Sequence, residues 1–110
     1  MKIKYAVAAL ALAVFSGNAL AITSQDKAET CALMAKLAND LMTTHQAGVP
    51  LAQVLEMGNN LSSEETRTVF QQLALKAYSH PRYSTAQMQQ KEIAEFRDEW
   101  HVTCLKTLGD

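Results

Sequence analysis

Few side chains in this 110-residue chain are of a type that does chemistry. There are two cysteines, three histidines and a scatter of carboxylates. Cys31 and Cys104 are far apart in sequence. They form no C-x-x-C pair, and neither has the flank of a cysteine protease nucleophile. His45, His80 and His101 stand at no helical spacing from one another. A metal site wants two or three such ligands converging with a carboxylate. Asp98 and His101 are i and i+3, which offers two ligands and no third. Glu64 and Glu65 are adjacent at a helix start, where the helix dipole already accounts for them. There is no G-x-S-x-G elbow and no glycine-rich phosphate loop. The sequence therefore predicts no catalytic residue, no metal and no cofactor. The most distinctive short stretch is Tyr78-Ser79-His80-Pro81-Arg82-Tyr83. Tyr78, His80, Arg82 and Tyr83 are residue types found at binding hot spots, which makes this turn a candidate partner-binding site. The plainer reading is that the tyrosines pack one end of the fold.

The compartment bears on the cysteines. Residues 1–21 carry the three parts of a secretory signal: basic Lys2 and Lys4, an apolar run from Tyr5 to Phe15, and Ala19-Leu20-Ala21 before the cut. Cleavage is expected between Ala21 and Ile22. The apolar run is about half the length that spans a bilayer. No cysteine follows the cut directly, which argues against a lipoprotein. Residues 22–110 then form one small domain, with eight Lys/Arg against eleven Asp/Glu. A mildly acidic surface argues against nucleic acid and against anionic lipid. Two cysteines in an exported chain of this size read as one disulfide, Cys31 to Cys104, against the alternatives of two free thiols or an intermolecular bridge.

The elements that position these residues are helical throughout. The first helix runs from about Gln25 to Gln46, with Cys31, Met34, Ala35, Ala38, Leu41 and Met42 on one face and Leu37 on its shoulder. Leu33 falls outside that face, either exposed or a partner contact. Ala47-Gly48-Val49-Pro50 stops the helix. Leu51 to Met57 is a short helix. A third begins within residues 61–65, with a Ser62/Glu65 capping box, and ends near Ser79. Its expected buried face is Thr66, Val69, Phe70, Leu73, Ala74 and Ala77. Arg82-Tyr83 leads into the last helix through a Ser84/Gln87 capping box and a Tyr83/Met88 staple. There Ile93, Phe96, Trp100 and Cys104 form one stripe, on which everything upstream is expected to pack. Glu92, Glu95, Asp98 and Glu99 read as a solvated face. No stretch has the alternation of a strand. The expected fold is all-α: a small bundle of three main helices and one short one, stapled by a disulfide. For the sulfurs to meet, the first and last helices must be antiparallel neighbours.

Two blocks, Cys31 to Leu51 and Ala77 to Cys104, carry a resemblance. Together they resemble small exported helical proteins of Gram-negative bacteria and their phages. In those a cysteine opens the first helix, a G-x-P/L turn follows, an A-Y-x-x-P-x-[YF] turn comes later, and a second cysteine closes the chain. The resemblance implies a periplasmic, disulfide-stapled bundle and brings no catalytic residue or ligand with it. The functional expectation is a periplasmic, non-enzymatic protein-interaction module whose partner is another envelope protein. Once the signal is removed, no membrane association is expected. A small periplasmic stress chaperone is the second reading, and a metal-binding or enzymatic protein the third.

Overall fold

The computed structural model describes residues 24–109; the expected signal and its cleavage point at Ala21/Ile22 lie outside them. The described residues form four helices and no strand: α1 Ser24–Gln46, α2 Leu51–Gly58, α3 Glu64–Tyr78 and α4 Ala86–Gly109. The fold is the expected all-α bundle, with α2 as the short member. Cys31 and Cys104 are bonded, with an S–S distance of 2.06 Å and Cα atoms 5.5 Å apart. The bond joins the early turns of α1 to the late turns of α4. At the other end, the Tyr83 amide just before α4 meets the last residue of α1. α1 and α4 therefore run antiparallel along their length.

α1 is the central element, packing extensively on α4 and also on α3. Its many alanines allow that approach: Ala35 and Ala38 are buried with Cys31, Leu41 and Met42. The core closes with Val54 of α2, Leu73, Ala74 and Ala77 of α3, and Phe96 of α4. Ile93 and Trp100 are only half-buried, so the stripe on α4 is fully buried at Phe96 and Cys104 alone.

Local chemistry sets the joints. α1 ends in a Schellman pattern: the Gly48 amide donates to the His45 carbonyl and the Val49 amide to that of Thr44. Gly48 has φ +88°, the left-handed region that suits glycine. α2 then folds back along α3. A Cβ placed on Gly58 would lie 2.4 Å from a ring carbon of Phe70, so only glycine permits this approach.

Several expectations are corrected. Ser63, not Ser62, caps α3: its backbone is extended and its Oγ accepts from the Thr66 amide at 3.2 Å. Thr85, not Ser84, caps α4, accepting from the Met88 amide at 3.1 Å. That one-residue shift takes Tyr83 and Met88 out of staple register, and Gln89 ties the entry instead by donating to the Tyr83 carbonyl. Thr66 and Val69 of α3 are exposed, because α1 does not cover the first turns of α3. Glu92 departs from the solvated acidic face. Its side chain is only 14% exposed and pairs with His80.

Candidate functional site

The Tyr78–Tyr83 turn is stitched to the helices around it. At the end of α1, Gln46 is 2% exposed. Its side-chain amide donates to the Pro81 carbonyl and accepts from the Tyr83 amide, both at 2.8 Å. This is the pattern one strand offers another, supplied here by a single side chain. The buried His45 places its Nε2 2.7 Å from the His80 carbonyl, so that nitrogen must carry the proton. The His45 ring also lies against Tyr78, centroids 4.2 Å apart. The Tyr78 hydroxyl donates to the Val49 carbonyl at 2.6 Å, and burial raises its pKa, with the Arg82 charge opposing. His80 donates from Nδ1 to Glu92 at 2.6 Å and sets its ring edge-on to Phe96. Arg82 lies over the end of α1, its Nη2 3.4 Å from the Gln46 carbonyl, where a cation suits the helix dipole.

Of the four candidate side chains, those of Tyr78, His80 and Arg82 thus have partners inside the molecule, and Tyr83 is held by its backbone. Such a clasp fixes geometry. It offers no nucleophile–base pair and no oxyanion cradle. Sequence reasoning missed its two central residues. The sequence gives His45 no role beyond its lack of a histidine neighbour, and Gln46 none beyond ending α1. Both fall on the buried α1 face, which is the one signal that pointed to them.

His101 stays on the α4 surface, half-buried and close enough to Asp98 to favour its charged form slightly. Asp98 is chiefly held below the usual carboxylate range by its hydrogen bond from Arg97. Among the described residues, no three His, Cys, Asp or Glu side chains are placed to hold a metal ion.

The opposite half of the bundle, around the disulfide, is different in kind. A groove of about 270 Å³ runs beside the bond, lined by Thr30, Met34, Trp100, Thr103, Thr107 and Leu108 with Cys104. None of these side chains is charged. A second groove, about 320 Å³, opens between α3 and α4, lined by Gln72, Leu75, Lys76 and Ser79 on the α3 side and by Trp100 of α4. A third, between α1 and α3, holds Leu33, Leu37 and Val69 together with Glu65 and Thr66, and shares Thr30 and Met34 with the first. Trp100 joins the first and second; Met34 joins the first and third. The result is a connected apolar band in which Leu33 is 69% and Leu75 53% exposed. Apolar surface gathered in this way marks an interaction site more often than scattered exposed residues do. The α4 stripe pointed to Trp100, but nothing in the sequence separated its uncovered side from its buried one.

Among the described residues no helix is long and apolar enough to cross a membrane. Comparison with protein-family models, curated proteins and solved structures finds no match.

Proposed function

We propose that this chain is a periplasmic, non-enzymatic module that binds another envelope protein. The observation that carries the reading is the uncovered apolar band around Trp100, whose linings hold only Lys76 and Glu65 as charged side chains. The Cys31–Cys104 bond supports an oxidising compartment, the condition in which such bonds persist. The turn residues expected as partner contacts, Tyr78, His80, Arg82 and Tyr83, each also bond within the molecule. The test is a pull-down from periplasmic extract with a crosslinker added before lysis. A reproducible partner is expected, and nothing above background would contradict the reading. Intact mass of the exported form checks the rest: the expected species is residues 22–110 with two hydrogens fewer than the dithiol.

The same band favours one second reading, a small stress chaperone that presents apolar surface to unfolded clients. It predicts that dye binding and client protection both rise between about pH 7 and pH 3, where carboxylates lose their charge. A flat response over that range removes it.

A further inference from the structure

The grooves that meet at Trp100 point to the form of their occupant. Trp100 is half-buried and lines both the groove beside the disulfide and the one between α3 and α4. Of all the side chains lining these two, only Lys76 is charged, and among the described residues its ammonium forms no ion pair. The α3 wall is Gln72, Leu75, Lys76 and Ser79. Those positions are i, i+3, i+4 and i+7, one straight stripe about two turns or roughly 11 Å long. α3 and α4 each pack on α1, and the furrow between them is walled by α3 and closed on the α4 side by Trp100. Such a furrow takes a helix laid along it. Strand addition is closed to a partner here, because the described residues offer no sheet edge.

Resting on the reading of the chain as an interaction module, we propose that this furrow docks an amphipathic helix of the partner. An apolar side chain of that helix sits against Trp100 and Leu75, and an Asp or Glu about one turn away meets Lys76. The apolar contact supplies affinity and the single unpaired cation supplies selectivity. A partner helix with a basic rim would set like charges together in the furrow, which is how wrong partners are rejected.

The probes are two synthetic helical peptides of roughly 15 residues. They share a leucine stripe and differ only in carrying Glu or Lys beside it. Binding to the oxidised, isotope-labelled protein is followed by amide shifts and by fluorescence of Trp100, the only tryptophan. The Glu peptide is expected to move the amides of Leu75, Lys76 and Trp100 and to shift emission to shorter wavelength. It should bind about tenfold more tightly than the Lys peptide, and Lys76→Glu should reverse that order. Equal binding of the two peptides, or a preference that Lys76→Glu leaves unchanged, overturns the proposal. So do shifts confined to residues 78–83. Self-association of the free protein through the same amides, seen by sedimentation, also overturns it and gives the furrow to a second copy. If neither peptide binds while crosslinking still recovers a partner, the furrow assignment fails and the module reading stands. An empty pull-down beside Lys76-dependent peptide binding does the reverse.

Discussion

Gln46 shows how one side chain can organise a turn. Its amide satisfies the Pro81 carbonyl and the Tyr83 amide from a position that is itself almost fully buried. Gln46→Ala would leave both backbone groups short of a partner and open a gap beside Met42. A loss of about 2 kcal/mol is expected, because an unmet buried polar group costs its desolvation. Urea denaturation measures it, and a loss under about 0.5 kcal/mol would mean the turn finds other partners. Tyr78 offers a second test at this scale. Burial holds its phenol above the ordinary value of 10.0, so the folded state keeps a proton that the unfolded state gives up. Its stabilising effect is complete below about pH 10 and is lost as pH rises from there toward the folded value. The denaturation midpoint should fall over that window, and Tyr78→Phe should flatten the fall. Neither residue was legible in this role. Tyr78 stands out for its type, while Gln46 marks only the end of α1. Its partners lie more than thirty residues away, and nothing local announces them.

Helix existence was readable wherever strong local signals coincide. Gly48 and Pro50 mark the end of α1 and the start of α2, because a left-handed residue and a missing amide have few other uses. The caps of α3 and α4 were each misplaced by one residue. Ser62-Ser63 and Ser84-Thr85 both present two adjacent hydroxyls, and residue type alone does not choose between them. The buried face of α3 was too wide for a related reason: periodicity gives a face its direction, whereas its covered length depends on where α1 lies. The close approach of α2 to α3 is testable. Gly58→Ala puts a methyl group against the Phe70 ring and should cost about 1–3 kcal/mol, the usual penalty for overpacking. Phe70→Leu in the same chain should recover part of that loss. A double-mutant cycle with no coupling would show that the two residues do not meet.

At the scale of the whole molecule, the two ends do different work. One is a polar clasp around Gln46, His45 and His80; the other is a sulfur clamp beneath an apolar band. The clamp closes a sequence separation of 73 residues, which in the chain-entropy model is worth about 4 kcal/mol. Cys31→Ser with Cys104→Ser should lower stability by about that amount, most of what a domain of this size has. Urea midpoints of the oxidised and double-serine proteins check it, and equal midpoints would show the bond is incidental. The clamp also sits in the wall of the groove at Trp100, so losing it should weaken partner binding as well as stability. The most direct measurement is site-specific photo-crosslinking in cells that produce the chain, with the reactive group placed at Leu75 or at Pro81. The account predicts a partner adduct from Leu75, none from Pro81, and loss of the Leu75 adduct in the double-serine chain. An adduct from Pro81 alone, or none from either position, would contradict it.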